Sequence, residues 1–509
     1  MHRIENIELE IAGGATGLAG RLEDEIQFLG TPAFWEPLVE VFDACAGPDS
    51  VCLIETLSID LHISADKDWK RVLQEQIKKE VEQFLLQHTK GRGIRPVVAG
   101  RGLSAASKGN EEDGVRLLSL AQRRVEEFLY YLVHGVAPWT ADAETFAEEY
   151  FGQQLTEALQ QYPSLWKDFI KRHRSLAEMI ARRLSIHCPE RLTSLLLEIL
   201  VPQQASRLRA AGEVWIEQLQ KTGLSQPAAV LRDHFRQQTL NVVWQTWPVL
   251  PEEKEMLIEI ARRWLHAVIS GEAQLSPAQI EQIQQTFLLP PQATREEQAA
   301  LSVLHRAMKD IFTKDSPSYS PPAPEPSLSP AAADVLPSLA DLSGYEVVHA
   351  GMILLYPYMR AFFTHLDLLD TRGRFLHEKA RQQGVYWWHY LASGVGGWPE
   401  PVYALGKMLC GMELSDVLQH RPDWREEDVQ EGHDLLEAFI THWKILGNCS
   451  VEALRETFLM RKGRLSLQDG GWRLVVETSG VDLLLDHLPF PLSQVYLPWL
   501  EKAIRVEWI

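Results

Sequence analysis

The chain has 509 residues, a formal net charge of −19 and a hydrophobic fraction of 45%. That length and composition suit two or three domains with cores of their own and exclude wholesale disorder. The acidic balance argues against phosphate-tracking surfaces, so nucleic acid and anionic lipid are poor partners.

Residues 2–11 alternate, with Ile7, Leu9 and Ile11 set among Glu8 and Glu10, which predicts a strand with one wet face. A Gly-rich turn follows, then a short helix near Leu22–Leu29. A second strand is expected within Val51–Ile63, where Leu57, Ile59, Leu61 and Ile63 alternate with polar residues. The cleanest helix covers about residues 67–88, with Val72, Leu73, Ile77, Val81, Phe84 and Leu85 on one stripe. Residues 90–110 carry Gly, Ser and basic residues without periodicity.

From 111 to 312 the pattern reads as helical throughout, broken at Pro138, Pro163, Pro189, Pro202, Pro248, Pro251, Pro277 and Pro290. Such spacing predicts an array of short helices, not one rod. Residues 315–337 hold seven prolines with Ser and Ala and read as a semi-extended linker. Helices are expected to resume at Tyr345, with Pro357 in the first turn of a new one. Leu465 and Leu467 then face Trp472, Leu474 and Val476 across Asp469-Gly470, a hairpin signal. A helix at Val481–Leu488 and strands near Gln494–Leu497 and Ile504–Trp508 complete the chain.

The fold class is therefore mainly α, a multi-helical body with small α+β modules at the N- and C-terminal ends. In detail, an α+β module over 1–90 and a loop over 91–110 precede the helical array over 111–312. A Pro-rich linker over 313–343 leads to a helical domain over 344–462 and the terminal α+β module over 463–509. One internal echo suggests duplication. Tyr131, Leu132, Gly135, Val136 and Trp139 match Tyr390, Leu391, Gly394, Val395 and Trp398, and a Gly-capped helix end would explain both.

Chemistry is sparse. Five scattered cysteines suit a reducing compartment and no disulfide framework. The N-terminus resembles no secretion signal, and no apolar run approaches the roughly 20 residues of a spanning helix. Ala404-Leu405-Gly406-Lys407-Met408 lacks the leading Gly and the hydroxyl of a phosphate loop. His389, Cys410, His442 and Cys449 are the nearest metal-like set, but their spacings match no familiar site and burial explains them more simply. Ser450 reads as a helix N-cap, not a nucleophile. No catalytic, metal or cofactor-binding residue emerges, and a non-enzyme is expected.

Eight of the 16 tryptophans lie after Tyr345. Most are expected in the core, with at least one exposed aromatic patch for the set. Trp443, Arg455, Arg461, Trp472, Trp499 and Trp508 are the candidate protein-interaction residues.

The order of C-terminal motifs carries a resemblance. Ala350-Gly351-x-x-Leu354-Leu355-x-Pro357-Tyr358 comes first, then Lys407-x-Leu409-Cys410-Gly411, Leu435-Leu436, His442-Trp443 and Asn448-x-Ser450. Leu454-Arg455-x-x-Phe458-Leu459-x-Arg461-x-Gly463 follows, with Trp472, Glu477, Asp482-x-Leu484-Leu485, Leu488-Pro489 and Leu497-Pro498-Trp499. Together they resemble the tape measure protein family of contractile injection systems, phage-tail-like particles. His2-Arg3-Ile4-Glu5 and the Ile-x-x-Leu-x-Ile-x-Leu pattern at 54–61 resemble its N-terminal start. The likeness covers about residues 1–90 and 345–509. It departs at Phe490, where members usually have Trp, and at Cys449, where they have Thr.

The resemblance implies a structural role, setting or guiding tube length with the baseplate hub or spike and the tube protein as partners. It also implies cytoplasmic assembly and a place inside the finished particle. Homo-oligomerisation is compatible with it. The alternative is a soluble helical adaptor or chaperone for an effector or tube subunit, held by an aromatic groove. Fully helical, 509 residues would reach about 760 Å. The prolines forbid one continuous helix and the aromatic density calls for compact packing, so a folded body is expected.

Overall fold

The computed structural model describes residues 32–45, 50–54, 57–59, 69–89, 115–138, 141, 151–221, 226–271, 294–312, 344–422, 424–468 and 471–508. The strand expected at 2–11, the helix at 22–29, the loop at 91–110, the Pro-rich linker and the Asp469-Gly470 turn lie outside them. The described residues fall into two compact units, up to Glu126 and from Glu127 onward.

In the first unit, α1 (Pro32–Cys45) packs on α2 (Trp69–Thr89), burying Leu38, Val81 and Leu85. The apolar stripe read from the sequence thus faces a neighbouring helix. The second strand is β1 (Ser50–Ile54), shorter and earlier than its alternation suggested, for Leu57–Ile59 have no regular structure. Its partner is β2 (Val115–Ser119), antiparallel, with Cys52 opposite Leu117. This corrects the expectation of unbroken helix from 111. Five residues running straight into helix α3 (Leu120–His134) leave too little periodicity to mark a strand whose pairing is non-local.

In the second unit the array follows the prolines. Pro163 opens α5 (Pro163–Arg172) after α4 (Gln153–Gln161); α6 (Ala177–His187) precedes α7 (Glu190–Leu200), which is entered through Pro189. Then come α8 (Ala205–Gln220), α9 (Ala228–Thr246), α10 (Glu253–Gly271) and α11 (Arg295–Phe312). Thr239 to Trp244 are all buried, so this stretch of α9 is enclosed on every side at the centre of the array. Trp166, Trp215 and Trp264 are fully buried, and each indole N–H donates to a carbonyl, of Leu196, Ala300 and Leu231 respectively.

The C-terminal part begins not with a helix but with β3 (Tyr345–Val347), edge strand of a five-stranded sheet. Its partner lies more than a hundred residues on, which local reading cannot see. A 3₁₀ turn (Ala350–Leu355) leads to α12 (Tyr356–His365), which has Pro357 in its first turn as expected. Next come α13 (Glu378–Ser393), a 3₁₀ turn (Glu400–Tyr403), α14 (Ala404–Leu409) and α15 (Glu426–His442). Ser450 caps α16 (Val451–Leu454), accepting from the Ala453 amide at 3.1 Å.

The hairpin forms as read: β4 (Gly463–Gln468) pairs with β5 (Gly471–Val476), with Leu465 opposite Leu474 and Leu467 opposite Trp472. A 3₁₀ turn (Asp482–His487), β6 (Gln494–Val495) and β7 (Ile504–Trp508) close the module. β7 runs parallel to β5, giving the order β3-β4-β5-β7-β6. Its inner face, Leu465, Leu474, Val476, Val495, Ile504 and Val506, joins the core around Trp387, Trp388 and Trp443. The chain is mainly α with small strand modules.

Candidate functional site

The most unusual side chains of the second unit are charged and completely buried. Arg183 on α6, Glu400 in the 3₁₀ turn and Lys407 on α14 have no exposed surface. Around Lys407 the chain is apolar, and every residue from Ala404 to Cys410 is buried. An isolated charge there would be very costly, so each must find partners.

They find one another. Arg183 Nε donates to Glu400 Oε2 at 2.9 Å, and Lys407 Nζ donates to Oε1 at 2.8 Å. The Tyr131 hydroxyl donates to Oε2 at 3.0 Å. Carbonyls take what remains: Arg183 Nη1 reaches Leu132 at 2.6 Å, Nη2 reaches Ser415, and Lys407 reaches Leu414 at 3.0 Å. Two cations thus share one carboxylate, the surplus charge being spread over peptide dipoles.

Electrostatics follows from burial. Burial would raise the Glu400 carboxyl, but the Arg183 and Lys407 charges reverse this and hold it far below the usual carboxylate range. Burial lowers Lys407 against the opposing pull of Glu400, and raises the Tyr131 phenol together with that same carboxylate. His187 lies 3.9 Å from Glu400, yet burial pushes its imidazole down. Arg183, Glu400 and Lys407 are each fully buried and hydrogen-bonded. The arrangement is a clamp between the helical array and the C-terminal part.

Gly135 makes the clamp possible. It ends α3 in the left-handed region at φ +70°, and a Cβ there would meet Leu414 O at 2.6 Å and Arg183 Nη2 at 2.8 Å. Its counterpart in the internal echo, Gly394, ends α13 at φ +73°, and a Cβ would meet Arg455 Nη1 at 2.7 Å. The amides of Gly135 and Gly394 bond Tyr131 O and Tyr390 O. Moreover, Arg183 donates to Leu132 O while Arg455 Nε donates to Leu391 O at 3.0 Å. The two echo segments therefore share a device: a Gly-capped helix end whose bare carbonyl takes a guanidinium from elsewhere in the chain.

The residues singled out as interaction candidates are scattered. Trp443 is fully buried, its indole N–H donating to Leu484 O at 3.2 Å, so its ring is closed to solvent in this fold. Arg455 serves the α13 cap. Trp499 is half-buried against Phe363 and Phe375, with its indole N–H on Leu409 O at 2.7 Å. Arg461 and Trp508 meet on one carboxylate: Arg461 Nη2 donates to Asp482 Oδ1 and the Trp508 indole to Oδ2, both at 3.1 Å. Trp472 is half-buried on the hairpin.

The metal-like set is dispersed in its contacts. His389 Nδ1 faces His349 Nδ1 at 3.1 Å, Cys410 is buried, exposed His442 bonds the Tyr358 hydroxyl, and the Cys449 thiol contacts Ser450 O. Among the described residues, the grouping with metal-ligand geometry is His433, Asp434 and Glu437, on the outer part of one helix.

Sequence reasoning met Lys407 as a failed phosphate loop and as part of a family motif, and passed over Arg183 and Glu400. The available signal was a lone charge inside an apolar run, as in Ala404–Cys410.

The clamp joins the helical array to the C-terminal part through buried charges. The model of the family described as contractile injection system tape measure protein matches residues 1–508, and the chain belongs to that family. No curated protein and no solved structure matches. Its role is structural, in the assembly of a contractile injection system. No helix among the described residues is long and apolar enough to cross a membrane.

Proposed function

We propose that this chain sets or guides tube length as a folded body, through contacts with the baseplate hub and the tube protein. It acts in the cytoplasm during assembly and then lies within the particle. The observation that carries this is the Arg183–Glu400–Lys407 clamp. An extended ruler would have to pull Arg183 from Glu400 and expose the aromatic core, which costs about 3–5 kcal/mol for the broken buried pair alone. Trp472, Arg461 and Trp508 are the C-terminal residues we assign to partner contact, being half-buried at the module's end.

Electron microscopy of particles tests this. Deleting the gene should abolish particles or scatter their lengths; uniform, normal particles without it would end the reading. An insertion between residues 313 and 330 should leave particle length unchanged. Length that grows with the insertion would favour an extended ruler.

A further inference from the structure

The C-terminal part holds a second sealed polar contact, between His349 and His389. Both residues are buried, and their Nδ1 atoms face each other at 3.1 Å. Two imidazoles so placed can share one proton only: one ring donates Nδ1–H and the other accepts. A proton added to the accepting Nδ1 would set two N–H groups head to head. The far nitrogen, His389 Nε2, has no hydrogen-bond partner among the described residues. A Cβ on Gly406 would lie 2.9 Å from it, so the backbone of α14 closes over that atom. Taking up a further proton therefore breaks the shared bond or leaves a buried cation without a counter-ion.

The surroundings supply no such counter-ion. Trp398 lies 5.2 Å from the His349 ring and Tyr403 5.0 Å from the His389 ring. Charges on the neighbouring elements are committed elsewhere: Lys407 to Glu400, Arg455 to Leu391 O, and Arg461, whose carbonyl takes the Ala350 amide, to Asp482. Glu346 stands opposite Arg464 in the β3–β4 register. The charged residues of α13 itself, Glu378, Lys379 and Arg381, lie more than two turns from His389. Burial accordingly lowers His349 to about 4, and burial with the neighbouring His349 holds His389 well below the ordinary imidazole value. His349 also sits where opening is easiest. It adopts the left-handed region at φ +59°, uncommon for a residue with a side chain. It joins β3 to the following 3₁₀ turn, and β3 is a three-residue edge strand that pairs with β4. Freeing His349 disturbs a short edge, whereas freeing His389 would dismantle α13.

We propose that the His349–His389 contact is an acid-sensitive latch that holds β3 on the C-terminal sheet. Acidification charges the rings, the shared bond breaks, and β3 lifts from β4 while α13 and the β4–β5 hairpin stay in place. The open form takes up protons at the ordinary imidazole value and the closed form resists them. Closure is therefore fully stable above about pH 6.5 and is lost as pH falls toward 4.

Hydrogen exchange of the full chain, read by mass spectrometry on residues 344–352 and corrected for intrinsic pH dependence, tests the latch. With His349 near 4 when closed and about 6.5 when open, opening should be about a hundredfold more frequent at pH 4 than at pH 7. Protection of the β4–β5 hairpin and of α9 should change by less than about tenfold. His349→Asn tolerates the left-handed backbone and places an amide where Nδ1 stands, able to turn its oxygen or its NH₂ toward His389. In that variant the pH response of 344–352 should shrink at least about tenfold. His389→Asn makes the same replacement from the other side and should do likewise. Unchanged protection of 344–352 at pH 4 overturns the latch. So does an equal loss in all three segments, or an undiminished response in either variant.

Discussion

Replacing Glu400 by Gln keeps the shape of the side chain and removes its charge. In the clamp the carboxylate accepts from Arg183 Nε, Tyr131 and Lys407, with all four residues buried. An amide offers one acceptor oxygen where there were two, and its NH₂ must point at a donor. Arg183 and Lys407 then remain as uncompensated buried cations. Breaking a buried pair in this way costs about 3–5 kcal/mol. Opening of α6 away from the C-terminal part should become easier by that amount. At 1.4 kcal/mol per decade, amides near Arg183 should exchange about a hundred- to a few thousandfold faster in native-state hydrogen exchange. Glu213→Gln is the control, since its pair with Arg232 is largely exposed and should matter by less than about 1 kcal/mol. If Glu400→Gln exchanges within about threefold of the unmodified chain, the clamp does not hold these parts together. Replacing all three charges by apolar residues of similar volume should restore stability, because the expense lies in a broken pair and not in the absence of one.

Further outcomes follow from the same structure. Burial lowers His134, assisted by Arg183, and lowers His349, each to about 4. The unfolded chain therefore takes up these protons first, and stability should fall as pH drops from about 6.5 toward 4, by about 2–3 kcal/mol per histidine at pH 4.5. The Glu400 carboxyl is lowered too, so its contribution is likewise lost as pH falls, but only below the ordinary carboxylate range. A urea midpoint equal at pH 7 and pH 4.5 would contradict this. Trp443→Ala should cost about 3–5 kcal/mol in urea unfolding, as a lost core residue. Gly351→Ala places a Cβ 1.7 Å from Phe458 O and should cost about 1–3 kcal/mol or prevent folding; a thermal midpoint equal to the parent's would refute the packing. Thr239→Val should raise stability by about 1 kcal/mol in the same assay, because it removes a buried hydroxyl that has no partner. A lowered midpoint would mean that the hydroxyl is satisfied in solution.

Several local signals in the sequence matched the structure, while the alternation at Leu57–Ile59 did not. The α2 stripe, the prolines opening α5 and α12, the Ser450 cap and the β4–β5 hairpin each depend on residues a few positions apart. β2 and β3 were missed because each is short and pairs with a strand far along the chain. The echo of Tyr131-Leu132-Gly135 in Tyr390-Leu391-Gly394 was visible, but its reason was not. The two guanidiniums that need those glycines come from Arg183 and Arg455, positions that no spacing rule connects to them.

Periodicity, punctuation and motif order were enough to determine a mainly helical chain of this family, because helix faces, caps and tight turns are chosen by near neighbours. Only the tertiary structure decided which charges went inside. Arg183, Glu400 and Lys407 are ordinary surface residues by type. They are stable in the core because folding brings Arg183, from a distant segment, within 3 Å of the same carboxylate that the nearby Lys407 holds.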